Sequence, residues 1–197
     1  ELIPSPGQYL LASDASDAPL PAPLFYTDFV LEGFIAAPVP GIWTPGTGLF
    51  LRGPLGRGFA MPQSARKVCL IALDGAPSRL RGLIQPALKQ GAAVVLLVDS
   101  SAEDLPNEVE IQPLSSLAEI IDWADYAAFD LARESLPELL KKMEGLNQTS
   151  KLKEAQVFVR TPVPCGGLAD CGACAVTTKS GWRMACKDGP VFDLREL

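Results

Sequence analysis

Two apolar runs decide how this chain folds: Val68-Cys-Leu-Ile-Ala72 and Ala92-Ala-Val-Val-Leu-Leu-Val98. Both are short, apolar at successive positions and bounded by turn residues, the pattern of a strand covered on both faces in a parallel sheet. The stretch between them has helical spacing, with apolar Leu80, Leu83, Ile84, Ala87 and Leu88. Ser78 is placed to cap that helix and Gly91 to end it, while Pro86 inside it predicts a kink or an early stop. Downstream the alternation continues. Ser115 or Ser116 starts a helix to Trp123, Tyr126–Phe129 is a candidate strand, and Ser135-Leu-Pro-Glu138 is a capping box opening a helix that ends before Gly145. Asn147–Lys153 reads as a polar loop and Ala155–Arg160 as a further strand. The rhythm predicts an α/β parallel-sheet domain of nucleotide-binding type over 63–160.

Upstream the texture is different. Residues 1–62 hold ten of the 18 prolines and eight of the 17 glycines, a density of breakers that no helix survives. Gln8–Leu11, Phe25–Leu31 and Gly48–Arg52 read instead as strands of a small antiparallel β-barrel, incomplete because 62 residues are few for six strands and their turns. From Pro162 onward periodicity fades into a Gly/Cys loop and a short hairpin, Cys174–Thr178 and Arg183–Cys186, around Ser180-Gly181. A module of that size, 161–197, needs a staple such as a metal centre. The fold class expected is therefore α+β and multidomain: barrel at 1–62, α/β domain at 63–160, metal module at 161–197.

Composition narrows the chemistry. The 197 residues include five Cys and no His, which removes Ser-His-Asp and Cys-His catalysis and any imidazole-held metal. With 48% hydrophobic residues the chain can bury a sizeable core. Seventeen basic against 23 acidic side chains leave a net charge of −6, which argues against nucleic acid or an anionic membrane surface as partner. The longest apolar run, Ala92–Val98, is far too short to span a bilayer. The chain opens Glu1-Leu-Ile-Pro4, without Met or a basic leader, so a soluble cytoplasmic protein whose first residues are missing is expected.

Four of the five cysteines crowd the tail as Cys165, Cys171, Cys174 and Cys186, a C-x5-C-x2-C-x11-C spacing. Structural zinc sites usually show two well-separated C-x2-C pairs. Here three cysteines fall close together and the fourth lies on a later strand, close to the plant-type [2Fe–2S] pattern. Gly166, Gly167, Ala169, Gly172 and Ala173 keep the loop small enough to fold round a bulky inorganic core and bring N–H groups to its sulfurs. A [2Fe–2S] cluster is the first expectation, with zinc and then disulfides as alternatives. Cys69, inside an apolar strand, reads as a buried, inert thiol.

The tail, Cys165-Gly-Gly-Leu-Ala-Asp-Cys171-Gly-Ala-Cys174 followed by Cys186-Lys-Asp-Gly-Pro-Val-Phe192, resembles the iron–sulfur module of the electron-transfer subunit of bacterial dihydroorotate dehydrogenase. Gly53-Pro-Leu-Gly-Arg-Gly-Phe59 resembles that family's turn between barrel and nucleotide domain, and Trp123-Ala-Asp-Tyr126 a segment of its nucleotide domain. The resemblance implies a ferredoxin-reductase-like fold. It also implies passage of electrons from NADH through FAD and a [2Fe–2S] cluster to a catalytic flavoprotein subunit of dihydroorotate dehydrogenase type, in a hetero-oligomer. Such a relay suits the carriers, because hydride moves two electrons, a cluster one, and a flavin either.

Two motifs depart from the family. The flavin motif's Arg is Ala22 here, leaving Thr27 as the residue to reach a flavin. The glycine-rich turn after the first parallel strand is Leu73-Asp-Gly-Ala-Pro-Ser78, where Asp74 repels a phosphate and Pro77 has no N–H to give. NAD binding is not expected from that turn. An alternative function follows: a binding or regulatory relative that keeps the fold and a four-Cys metal site, iron–sulfur or zinc, without flavin or NADH turnover. With an oxidised cluster contributing about −2, the holoprotein carries about −8, so a partner surface with a basic patch is expected.

Overall fold

A computed structural model describes residues 3–16, 18–31, 33–146 and 154–197 of the chain. The segment read as a polar loop, 147–153, lies outside them. The first sheet has four antiparallel strands, β1 (Tyr9–Ser13), β2 (Ala22–Val30), β3 (Gly33–Ala37) and β4 (Phe50–Leu55). Their order is β3-β2-β1-β4. It is an antiparallel sheet with β3 and β4 as its edges rather than the expected barrel, since four short strands are too few to close round a core. β3 escaped the sequence reading, and β4 starts and ends later than Gly48–Arg52.

The second sheet holds β5 (Lys67–Ala72), β6 (Ala93–Leu97), β7 (Val109–Gln112), β8 (Tyr126–Ala132) and β9 (Glu154–Arg160), all parallel, in the order β9-β8-β5-β6-β7. Its strand residues alternate between two apolar layers. Val68, Leu70, Val94, Leu96 and Ala128 meet α1 (Arg81–Lys89) through Leu83, Ile84 and Ala87. Cys69, Ile71, Val95, Phe129 and Val157 meet α2 (Leu117–Trp123) and α3 (Leu136–Leu146) through Ile121, Leu139 and Met143. That double burial, about 1.5–3 kcal/mol for each large side chain, is why these strands read as unbroken apolar runs.

Helix boundaries shift from expectation. α1 begins at Arg81, with Leu80 at its N-cap and no side-chain cap, because the Pro77 carbonyl accepts the Leu80 and Arg81 N–H groups. Ser78 therefore caps nothing. The helix also passes Pro86 and reaches Lys89, and α3 runs through Gly145 to Leu146.

The tail is built into this body. After the hairpin β10 (Ala175–Thr178) and β11 (Gly181–Met184), strand β12 (Val191–Asp193) pairs antiparallel with β9 and extends the second sheet. The junction turn closes against it. The Arg57 N–H donates to the Gly189 carbonyl, and the Val191 N–H donates to the Arg57 carbonyl at 3.4 Å. Gly56 (φ +72°) makes this approach possible, because a Cβ there would lie 2.6 Å from the Gly189 oxygen. Among the described residues no helix is long and apolar enough to cross a membrane.

Candidate metal centre

Cys165, Cys171 and Cys174 lie on the loop between β9 and β10, and Cys186 follows β11. The hairpin base ties the last two together: the Ala185 N–H donates to the Cys174 carbonyl at 3.0 Å. Cys174 and Cys186 are buried in the α2/α3 core layer, Cys165 is half-buried and Cys171 exposed. Cys171 bears on the Cys165 thiol, and Cys174 and then Cys165 on the Cys186 thiol, so the four thiols share one neighbourhood. Among the described residues no three Cys, Asp or Glu side chains converge on one point as a single ion would require. None of the five cysteines is bridged.

The electrostatics fit an anionic core. Burial works to raise the Cys165 thiol, but a hydrogen bond from Cys171 and backbone N–H groups of Asp170, Leu168 and Cys171 outweigh it and bring the thiol to about 6. Cys186 is pushed up to about 12, by burial first and then by its hydrogen bond and charge coupling to Cys174, while the Ala169 N–H works the other way. Backbone N–H groups of the loop thus work to favour the thiolate at both positions, as an anionic core would require. Gly172 (φ +71°) has open space where a Cβ would stand.

Loop carbonyls are held from outside by residues the sequence reading passed over. Arg52 on β4 donates to the Gly166 carbonyl. Tyr9 on β1, fully buried, donates its hydroxyl to the Cys186 carbonyl at 2.7 Å. Arg133, at the end of β8, donates to the carbonyls of Ala173 (2.8 Å) and Ala175 (3.2 Å). Nothing in their local sequence signals this, since each contact joins distant parts of the chain. Gly167 (φ +76°) sits under Tyr9, whose hydroxyl would lie 2.8 Å from a Cβ at that position.

Residues 165–197 match the family described as the iron–sulfur cluster binding domain of dihydroorotate dehydrogenase B. The C-terminal segment is similar to that family over those residues. The iron–sulfur domain therefore takes in the four tail cysteines, the hairpin and β12. The chain also resembles, at 16% identity and a TM-score of 0.71, a chain of an NADH-dependent reduced ferredoxin–NADP oxidoreductase studied for flavin-based electron bifurcation. That likeness covers 98% of this chain and 79% of the other. A second likeness, at 16% identity and a TM-score of 0.51, is to the ferredoxin reductase of carbazole 1,9a-dioxygenase in an FAD apo form, covering 75% of this chain and 56% of that one. The fold is ferredoxin-reductase-like, and with the iron–sulfur domain it supports the resemblance to dihydroorotate dehydrogenase electron-transfer subunits.

Away from the iron–sulfur domain, the crevice between the sheets carries the two departures. Asp74 (φ +55°) sits at the carboxyl end of β5 and accepts from the Ala132 N–H at 2.9 Å and from Arg160 at 3.3 Å. Asp130, only 2% exposed, lies between Arg79 (3.4 Å) and Arg160 (3.0 Å). Burial raises its carboxyl and the two guanidiniums oppose the shift. The Arg79 guanidinium lies 5.5 Å above Phe25 and 5.7 Å above Phe158. Ala22, Phe25, Arg79 and Arg160 line a cavity of about 350 Å³ there. Thr27 is buried, its hydroxyl directed to the Phe25 carbonyl at 3.5 Å. The turn that would cradle a dinucleotide diphosphate is thus filled by the chain's own carboxylate, and the residues present do not fit that group. Cys69 is wholly buried, and burial pushes its thiol up.

Proposed function

We propose that this chain is an electron-transfer subunit that passes single electrons through a [2Fe–2S] cluster to or from a partner flavoprotein oxidoreductase of dihydroorotate dehydrogenase type. Cys165 and Cys171 would hold one iron, Cys174 and Cys186 the other, with Gly166, Gly167 and Gly172 shaping the loop. One observation carries this: the stretch that matches an iron–sulfur binding domain puts Cys165, Cys171 and Cys174 on one loop and ties Cys186 to it through the hairpin base, with Cys174 and Cys186 buried. Zinc gathers four ligands on one ion, whereas a two-iron core takes two thiolates on each metal. When bound, such a cluster supplies a one-electron carrier. The chain's own residues exclude water from Cys174 and Cys186 and fix the loop. The exposed Cys171 edge is where a partner's flavin would approach. We retain the division into 1–62, 63–160 and 161–197 as the functional one, with β12 lent to the middle part.

The test is one anaerobic preparation assayed for metal and sulfide. About two iron and two sulfide per chain are expected; zinc in place of iron overturns the assignment. A net charge of −6 before any cluster predicts association with the partner that weakens as salt rises.

A second reading has its own support: the chain keeps the fold and centre while running no flavin or NADH turnover itself. Asp74 in the diphosphate turn and the Arg79–Asp130–Arg160 network favour it. Acid treatment should then release no FAD, and NADH alone should leave the visible spectrum unbleached. FAD in equal amount to the chain, reduced by NADH, would sink this reading and leave the first intact.

A further inference from the structure

We propose that Arg52 and Tyr9 set the reduction potential of the centre, by holding two loop carbonyls turned away from its sulfurs and, for Arg52, by placing a cation beside it. The four-stranded sheet would on this account serve as a tuning cap for the cluster. The inference rests on the cluster reading above and goes beyond it in assigning work to residues outside the cysteine motif.

The geometry begins with Gly166 and Gly167, both left-handed at φ +62° and +76°. A trans peptide points its C=O and N–H in opposite directions. With the Gly166 oxygen taken by Arg52, the next N–H is turned to the other side of that plane. At the far side of the site the Cys186 oxygen is taken by the buried Tyr9 hydroxyl at 2.7 Å. A carbonyl facing an anionic core opposes the arriving electron, and an N–H facing it helps. Arg52 and Tyr9 occupy the Gly166 and Cys186 oxygens, so neither carbonyl is left to turn toward the centre, and easy reduction depends on that.

Three observations single these two residues out. They come from adjacent paired strands, with Arg52 opposite Leu11, two residues beyond Tyr9. Arg52 lines the same cavity as Cys165, of about 370 Å³, and among the described residues it makes no ion pair with a carboxylate. Its charge is therefore spent on the loop. Gly167 leaves the space that the Tyr9 hydroxyl occupies, since a Cβ there would lie 2.8 Å from it. Reduction adds one negative charge to the centre, so losing a nearby cation or donor favours the oxidised state.

The experiment is a redox titration of the full-chain holoprotein, purified anaerobically, followed by visible absorbance and by the electron spin resonance of the reduced centre. Wild type, Arg52→Gln, Arg52→Lys and Tyr9→Phe are compared, each with its iron and sulfide content, and Arg66→Gln serves as a control cation that bonds only its own turn. Arg52→Gln should shift the oxidised-to-reduced ratio at fixed potential about tenfold toward oxidised, about 59 mV lower for a one-electron couple. Tyr9→Phe should shift it about threefold the same way. Arg52→Lys should recover part of the loss, because it restores charge without the planar fork, and Arg66→Gln should leave the ratio unchanged. Variants with full iron and wild-type ratios overturn the proposal. So do Arg52→Gln and Tyr9→Phe both losing the centre, which would make the two residues merely structural. A wild type that holds zinc or no metal instead refutes the cluster reading, a failure told apart by the metal assay alone.

Discussion

The loop at Cys165–Cys174 and the turn at Leu73–Ser78 both follow a strand of the parallel sheet, and both contain glycine. They end in opposite conditions. In the first, the Gly166 and Ala173 carbonyls accept from Arg52 and Arg133, and Tyr9 holds the Cys186 carbonyl beside the loop. In the second, Asp74 turns its carboxylate back onto Ala132 and Arg160, and Asp130 sits between two guanidiniums. One loop gathers thiols and has its carbonyls held from outside, while the other turns its carboxylates onto its own guanidiniums, partly by ion pairing alone, since Arg79 Nε, Asp130 Oδ1 and Arg160 Nε make no hydrogen bond. A ligand site is recognised less by its glycines than by where its polar groups have found partners.

That contrast can be broken at several strengths. Cys174→Ser should have the largest effect: a hard hydroxyl replaces a buried thiol proposed as a ligand, so the visible spectrum should fall to baseline and iron to well below one per chain. A spectrum of wild-type intensity would remove Cys174 from the ligand set. Asp130→Ala should cost about 2–3 kcal/mol in urea unfolding, below the full figure for a buried pair because Arg79 and Arg160 keep 20% and 27% exposure. Asp130→Asn should cost less, since burial already disfavours the charged carboxyl. Equal losses in the two variants would show that shape, and not charge, closes the crevice. Gly167→Ala should cost about 1–2 kcal/mol from left-handed strain alone, and crowding of the Tyr9 hydroxyl should add a change in the spectrum of the centre. Unaltered melting and absorbance would mean that the loop has slack.

The smallest effect lies on β12. The Asp193 carboxyl is held below its usual range, chiefly by the hydrogen bond from the Arg195 side chain. A depressed folded value contributes stability above the unfolded value, about 3.9, and that contribution is lost as pH falls through the folded one. With Arg195 74% exposed the gain is a few tenths of a kcal/mol at most. Asp193→Asn should flatten only the acid limb of the stability curve below about pH 4. A change near neutrality would require another titrating group.

Much of the second sheet was legible because β5, β6, β8 and β9 are buried on both faces, and a doubly buried strand writes an unbroken apolar run. β7, β3 and β12 were not. β7 is a half-exposed edge, β3 stands next to a proline-rich stretch, and β12 is three residues whose pairing with β9 depends on the whole tail. Ser78 looked like a cap because its type favours caps, but the Pro77 carbonyl closed that turn instead. Cysteine spacing announced a metal module, and the match over 165–197 agrees with it. The anchors Arg52, Tyr9 and Arg133 were invisible for a physical reason: Arg52 reaches Gly166, 114 positions away, and Tyr9 reaches Cys186, 177 away, and no local pattern encodes such a meeting.

That separation of 177 positions between Tyr9 and Cys186 has a kinetic meaning. A contact joining such distant segments has a high loop-closure cost and forms only after much of the intervening chain has found its place. The pocket is thus complete only once both ends of the chain have docked. Until the first sheet docks, the tail thiols stand without the hydroxyl and guanidinium that fix their loop, open to oxidants and to adventitious metals. A cluster delivered to the docked chain meets a prepared seat, and one delivered earlier meets only four reactive sulfurs on a loose tail. The visible colour of this protein should therefore report, more strictly than its helix content, that the chain has folded from end to end.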